Sequence, residues 1–308
     1  MKENRVQILV NSVPFDVTIE DEQTIGEVVA GISGWLKNNE YSITGIEIDG
    51  KRADLLDKES WKDISIHSSK TINLVASSFL EQRNEHLTIL LDYIIMFKQA
   101  LASANLEVVR QLLAEYGPVR GSVDPLINPG ESGEPLAARF DQLLAASGLA
   151  LGNPGPQALA LIDFFRNLEI LIRDRLDEVQ NPRKELDNAV AALREIVPVL
   201  EDLPILLQTG KDSEAMQQIV TFTELYGKLT RLFPYLKACC DIDLLGEGDS
   251  PQIGTLYQEL NPILAELTDA FDSSDAVLIG DLVEYEIAPR ISTLCTEIES
   301  ALKESEAG

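Results

Sequence analysis

Histidine and cysteine are nearly absent from this 308-residue chain, which has two of the first, His67 and His86, and three of the second, Cys239, Cys240 and Cys295. An odd cysteine count with an adjacent pair makes a poor disulfide framework. The pair Cys239-Cys240, with no histidine or second pair beside it, makes a poor zinc site. The three are read as reduced thiols on or beside helices. A nucleophile activated by histidine would need one of the two imidazoles, and no serine or cysteine sits on a recognisable elbow or in a C-x-x-C motif. Both histidines are read as surface residues. Glu-x-x-His, which recurs in di-metal carboxylate bundles, does not occur, since "QRNEHL" sets the two residues side by side. The expectation is no catalytic residue, no cofactor and no metal.

Basic residues are also scarce. Twenty-five lysines and arginines face 51 aspartates and glutamates, a formal charge of -26. Such a field repels nucleic-acid phosphates and anionic lipid headgroups, and no local basic patch overrides it. Long apolar runs are missing as well: the densest, "LTILLDYIIMF", is broken by Asp92 and is too short to span a bilayer. The start, "MKENRVQILVNSVPF", turns polar too early for a secretory signal. The expected state is a soluble cytoplasmic protein with a protein partner, no nucleic acid and no membrane; the oligomeric state is not legible. A phosphate-binding loop is not supported either. "QTGKDSEAMQ" has Asp212 where G-x-x-x-x-G-K-[ST] needs Ser or Thr, and its segment is helical, so Gly210 reads as a helix end followed by a new cap at Asp212 or Ser213.

What is present divides into two textures. In the first 76 residues, "RVQILVNS" alternates with Val6, Ile8 and Val10 on one face, and "FDVTIE" with Phe15, Val17 and Ile19, with a turn between. "TIGEVVAGISGWLKNN" then repeats Ile25, Val28, Val29, Ile32, Trp35 and Leu36 at helical spacing, behind a Thr24 cap with Glu27 three residues on. Gly31 and Gly34 are expected to let this helix approach a sheet. Strand texture returns in "ITGIEIDGK", with an Asp49-Gly50 turn, and in "DISIHSSKTINLVAS", where Ser68–Lys70 would join Ile64/Ile66 to Ile72/Leu74.

This order of elements over "VQILVNSVPFDVTIEDEQTIGEVVAGISGWL" resembles the ubiquitin-like, or beta-grasp, fold. Carriers and modifiers of that fold act through a free Gly-Gly tail, whereas here "NLVASSFLEQ" runs on into more protein. The resemblance therefore implies a fused recognition module. Trp35, the Trp61 region or an exposed strand edge is expected to meet a peptide by strand addition.

From residue 77 the period of two gives way to helical spacing through to residue 308. Some seven long amphipathic helices predict an antiparallel bundle, so the fold class is an α+β ubiquitin-like domain (1–76) followed by a large all-α bundle (77–308). Gly117-Pro118 is expected to end a helix and to open an irregular loop over 117–135, "GPVRGSVDPLINPGESGEP". Arg120, Asp124 and Asn128 in that loop are candidate contact residues. Two prolines in "KELDNAVAALREIVPVLEDLPILLQTG" should kink or divide that helix.

The acidic stretch "GDLVEYEIAPR" near the C-terminus raises one further expectation. The rhythm Leu302, Ile298, Cys295, Ile291, Ala288 carries back to Glu284 and Asp281, which places the two on or beside a packing face, while Glu286 points away. A neighbouring stripe of Leu278, Leu282 and Tyr285 is the alternative core face. Buried carboxylates need partners, and Arg166, Arg173, Lys228 and Arg231 are the candidates for a structural polar network with Asp281 and Glu284. Pro289 should bend the helix there. The function expected is a non-catalytic adaptor, scaffold or regulatory protein acting through protein contacts. The alternative is an enzyme or small-ligand-binding protein with a site inside the bundle.

Overall fold

The computed structural model describes residues 6–16, 22–128, 135–149, 158–246 and 251–307. A mixed α+β segment is followed by a large, mostly α-helical region. The chain divides into two compact units, Met1–Leu90 and Leu91–Gly308.

The N-terminal unit holds β1 (Gln7–Val10), β2 (Val13–Pro14), α1 (Ile25–Asn38), β3 (Tyr41–Ile48), β4 (Lys51–Ala53) and β5 (Thr71–Ser78). The strands form a sheet in the order β2-β1-β5-β3-β4, with β1 and β5 parallel and the other pairs antiparallel. Both hairpins turn on left-handed residues, Asn11 (φ 51°) with Ser12 (φ 65°) and Asp49 (φ 51°) with Gly50 (φ 76°). Two successive positive φ values match the twist of the flanking strands. Each turn is also tied to β5. The Asn11 amide exchanges hydrogen bonds of 2.9 Å with the backbone of Ala76. Asp49 Oδ1 accepts from the amides of Thr71 (2.9 Å) and Lys70 (2.7 Å), which hold its carboxyl below the ordinary range. The expected continuation at Val17 and Ile19 lies outside the described residues.

Helix α1 starts as its sequence predicts. Thr24 accepts from the Glu27 amide and Glu27 accepts from the Thr24 amide, a reciprocal capping box. Its apolar face of Ile25, Val28, Val29, Ile32 and Leu36 packs on Ile8, Ile46, Ile72, Leu74 and Ala76 of the sheet, with Trp61 and Ile66 closing the core. Two expectations are corrected. Ile64 and Ile66 belong to no strand. Ile66–Ser68 is a 3-10 turn because the backbone here is committed to the start of α1, with Ile25 N–H donating to Ile64 and Ile66 N–H to Gln23. Gly31 and Gly34 do not serve close packing, since an added Cβ at either meets nothing within 4 Å. The close approach is at Gly26, where a Cβ would lie 2.8 Å from the Lys62 carbonyl oxygen.

The helical region comprises α2 (Phe79–Ala102), α3 (Leu106–Ile127), α4 (Leu136–Ser147), α5 (Ala158–Gln180), α6 (Pro182–Glu201), α7 (Leu203–Gln208), α8 (Asp212–Cys240), α9 (Pro251–Asp272), α10 (Ala276–Asp281) and α11 (Ala288–Ala307). Among the described residues, no helix is long and apolar enough to cross a membrane. Phe97 of α2, Phe140 of α4 and Phe165 of α5 are fully buried and meet with ring centroids 5.0 to 6.3 Å apart. Tyr93 closes this cluster and donates its hydroxyl to the Leu112 carbonyl of α3 (2.8 Å). Further along, α6 packs against both α8 and α11.

In α3, proline is less disruptive than expected. Helix α3 runs straight past Gly117-Pro118 and contains Pro125 as well. Each internal proline removes a backbone hydrogen bond and strains the preceding turn. The turns beyond Pro118 repay this by burying Val123, Leu126 and Ile127. Residues 117–127 are thus helix and only 129–134 lie outside the described residues, so an irregular loop over 117–135 is not what forms. The segment that carries Pro198 and Pro204 does divide, as expected: Pro198 sits in the last turn of α6, which ends at Glu201, and Pro204 falls in the first turn of α7, where its missing N–H costs little. The cap of α8 is Lys211, which makes no side-chain cap bond, rather than Asp212 or Ser213.

Two stability measurements follow. Gly31→Ala is expected to stabilise the N-terminal unit by up to about 1 kcal/mol, and Gly26→Ala to destabilise it, in urea unfolding followed by far-UV circular dichroism. Among the described residues, the buried Tyr226 hydroxyl has no hydrogen-bond partner. Tyr226→Phe should therefore leave the melting temperature unchanged or raise it.

Candidate functional site

The acidic stretch is not the centre of a charge network. Asp281 is exposed, Glu284 half-buried, and neither pairs with Arg166, Arg173, Lys228 or Arg231. The four bases are answered elsewhere: Arg166 by Asp163, Arg173 by Glu169, Lys228 by Asp174 and Glu185, and Arg231 by Glu178. Glu284 takes the hydroxyl of its neighbour Tyr285, which holds that phenol above its ordinary value. Glu286, expected to stand apart, is the acid of the three that finds a base, Arg290 at 2.6 Å.

The reason lies in the backbone. Leu282–Ile287 form a π-helical turn, and the Ala288 N–H donates to Val283, five residues back. Pro289 has no N–H for the Tyr285 carbonyl, so the regular ladder cannot continue through it. The wider turn slips the core stripe by one residue. Ile291, Cys295, Ile298 and Leu302 are buried as the rhythm requires, but ahead of Ala288 the fully buried positions are Ile287 and Val283 instead of Glu284. In the alternative stripe Leu282 is buried, while Tyr285 is 63% exposed.

A cluster of buried and half-buried charges sits where α5, α6 and α8 meet. Glu178 is fully buried and accepts from Arg175 Nη1 (3.0 Å) on its own helix and from Arg231 Nη2 (3.0 Å) and Nε (3.2 Å) of α8. Arg175 Nε donates to the Ile127 carbonyl (2.8 Å), one of the unpaired acceptors at the end of α3. Lys228 Nζ lies 2.7 Å from both Asp174 and Glu185. Burial alone would lower Lys228, but the hydrogen bonds to those two carboxylates outweigh it and hold the ammonium above its ordinary value. Arg175, Lys228 and Arg231 thus balance Asp174, Glu178 and Glu185. Part of this was readable. Leu161, Phe165, Leu168, Ile172 and Val179 step along one face of α5, and Arg175 occupies the place where an apolar residue would continue it.

The candidate contact residues are structural as well. Arg120 lies 2.8 Å from Asp141 of α4. Arg120 and then the Tyr116 hydroxyl hold the Asp141 carboxyl below the usual range. Asp124 accepts from the amides of Leu136 (2.6 Å) and Ala137 (3.3 Å) at the start of α4, and Asn128 ends α3. These residues join α3 to α4. His67 and His86 are exposed, and so are Cys239 and Cys240, while Cys295 is buried.

An open surface does exist on the N-terminal unit. A groove of about 960 Å³ lies between α1 and the first half of β3. Gly26, Ala30, Ser33 and Gly34 line it from α1, so that wall has little bulk, and Val29, Ile43, Leu55 and Trp61 supply apolar surface. The Trp61 ring is buried there with its Nε1 donating to the Asp54 carbonyl (2.8 Å). Trp35 is half exposed, packs on Phe15 with ring centroids 5.1 Å apart, and is not part of this groove. A smaller depression of about 580 Å³ lies where Thr44 and Gly45 face Ala53–Leu56.

The sheet unit and the last helices each have relatives. Residues 6–78 match a family described as the TP0873 N-terminal domain, and residues 184–297 match a domain of unknown function, DUF8042. An uncharacterized protein of Treponema pallidum (strain Nichols) is 27% identical over 111 residues. That match covers 34% of this chain and 55% of the relative, so it spans about half the relative's length. No solved structure gives a significant match. The first family takes in every strand lining the groove. The second contains Glu185, Lys228 and Arg231, whereas Arg175 and Glu178 lie between the two matched segments.

Removing the charge of Glu178 takes a fully buried carboxylate away from Arg175 and Arg231. Glu178→Gln is expected to cost about 3 to 5 kcal/mol, and Glu284→Gln less than about 0.5 kcal/mol, in paired urea titrations. Asp141 gives a pH signature. Its folded carboxyl is depressed, so its contribution is complete above the ordinary aspartate value of about 4 and is lost as pH falls through the folded value. Asp141→Asn should flatten that part of the acid-unfolding curve.

Proposed function

We propose that this chain is a non-catalytic adaptor or regulatory protein, in which a ubiquitin-like N-terminal unit recognises a protein and the helical region is the scaffold that carries it. The observation behind this reading is the open groove beside α1. It combines apolar surface from Ile43, Leu55 and Trp61 with a sheet whose order is β2-β1-β5-β3-β4, around a parallel central pair and under a single helix. That order and that one helix are what support assigning the unit to the ubiquitin-like class. The unit continues into α2 without a free tail, which favours recognition over conjugation. In the helical region Arg175, Lys228 and Arg231 answer Asp174, Glu178 and Glu185, which favours a structural role for this cluster over a catalytic one.

The reading is tested by capture of the tagged full chain from the cells that make it, followed by size-exclusion chromatography with light scattering. A partner protein co-eluting at fixed stoichiometry is expected. A chain that elutes alone and carries a small molecule released on denaturation would overturn the reading in favour of a ligand-binding protein.

A further inference from the structure

Strand β3 is covered on one side only for part of its length. Its inner edge pairs with β5 from Tyr41 to Ile48, but β4 covers its outer edge only at Ile46–Ile48, opposite Lys51–Ala53. The register against β5 skips at Thr44, whose hydroxyl turns back toward Val75 O and Ser77 Oγ, each at 3.4 Å. Such a bulge raises the local twist, and β4 stops short of it. Among the described residues, the outer edge of Tyr41–Gly45 pairs with no strand and makes no backbone hydrogen bond to a loop, the segment after β4 facing Thr44 and Gly45 across the smaller depression. This is about 16 Å of open edge, the length of a typical short strand. Unpaired edges of this kind are templates for a further extended chain.

The groove decides which chain would fit. Its apolar surface near Ile43, Leu55 and Trp61 takes an aliphatic side chain. At its rim, Glu27 is occupied by the amides of Gln23 and Thr24, and Lys62 is held by Glu59 with Asp63 beside it. Lys37 and Lys58 are exposed and make no ion pair among the described residues. On a chain of charge -26, a rim where Lys37, Lys58 and Lys62 face Glu27, Glu59 and Asp63 is locally neutral, and two of its lysines have no ion-pair partner among the described residues. They complement carboxylates on the same strand face as the aliphatic residue.

We propose that the Tyr41–Gly45 edge receives an extended segment of a protein partner, which presents an aliphatic residue to Ile43 and Leu55 and, on the same face, carboxylates to Lys37 and Lys58. The proposal rests on the adaptor reading and specifies its partner's chemistry. The test uses the full-length protein and blocked peptides of pattern Thr-Val-Thr-Val-Thr-Glu-Thr-Glu, the same peptide with Gln for Glu, and a version N-methylated at alternate amides. Binding is read by fluorescence anisotropy, with backbone shifts from isotope-labelled protein. The glutamate peptide is expected to bind about two- to thirtyfold tighter than the glutamine peptide, the range for two exposed ion pairs. Shift changes are expected over Tyr41–Gly45, the N-methylated peptide should lose binding, and the Lys37→Glu, Lys58→Glu double variant should remove the glutamate preference. Both lysines are solvent-exposed, and circular dichroism checks that the variant folds. Equal binding of the two peptides, tolerance of N-methylation, self-association through the same edge without peptide, or no binding at millimolar peptide would overturn it. If peptide binding fails while the native chain still captures a partner, this edge is excluded and the adaptor reading stands.

Discussion

The helical region depends on one fully buried carboxylate. Glu178 sits where α5 faces α8 and joins two guanidiniums, Arg175 of its own helix and Arg231 of α8, around one buried negative charge. Through Arg175 the same cluster reaches the last carbonyl of α3, and through Lys228 and Glu185 it reaches α6. Apolar packing is tolerant of small shifts in register, whereas a bidentate contact between Arg231 and Glu178 is satisfied by a narrow range of geometries. The cluster therefore acts as a registry device for the helices around it, whatever its net contribution to stability.

The same requirement explains why the acids of α10 and the π-helical turn are not in the core. A chain with twice as many acids as bases has few cations to spare, and Arg175, Lys228 and Arg231 of α5 and α8 are committed to Asp174, Glu178 and Glu185. The π-helical turn at Leu282–Ile287 resolves the remaining conflict by turning Val283 and Ile287 inward and leaving Asp281 and Glu284 at the periphery. Glu286 then falls four residues before Arg290, a spacing at which a glutamate and a following cation meet on a helix surface. Close packing continues upstream at Gly280, where an added Cβ would come within 3.3 Å of Pro204.

The N-terminal unit is organised differently. Its core is built on the α1 face and the central strands, and its hairpin turns are bound to β5 by side-chain hydrogen bonds from Asn11 and Asp49. What it leaves unsatisfied is at the periphery, along the first half of β3 and beside the small residues of α1. A unit with a saturated interior and an unfinished edge is suited to recognition, and the proposed partner follows from the chemistry of that edge.

The sequence by itself determined the change from strand to helical texture, the capping box at Thr24 and Glu27, the Asp49-Gly50 turn and the apolar stripe of α11. Each of these is local: it depends on periodicity of two or 3.6, on a cap three residues from its partner, or on residues tolerant of positive φ. Tertiary structure decided where charges meet, because Glu178 and Arg231 are 53 residues apart and nothing in either neighbourhood names the other. It also decided that α3 passes through Pro118 and Pro125, since the burial of Val123 and Ile127 outweighs a local penalty. The one-residue slip at Leu282–Ile287 converted a correct rhythm downstream into a wrong one upstream, because a period is read with a fixed pitch and a π-helical turn changes it. The open edge of β3 was equally out of reach, for it arises only where β4 ends relative to a neighbour it pairs with in space.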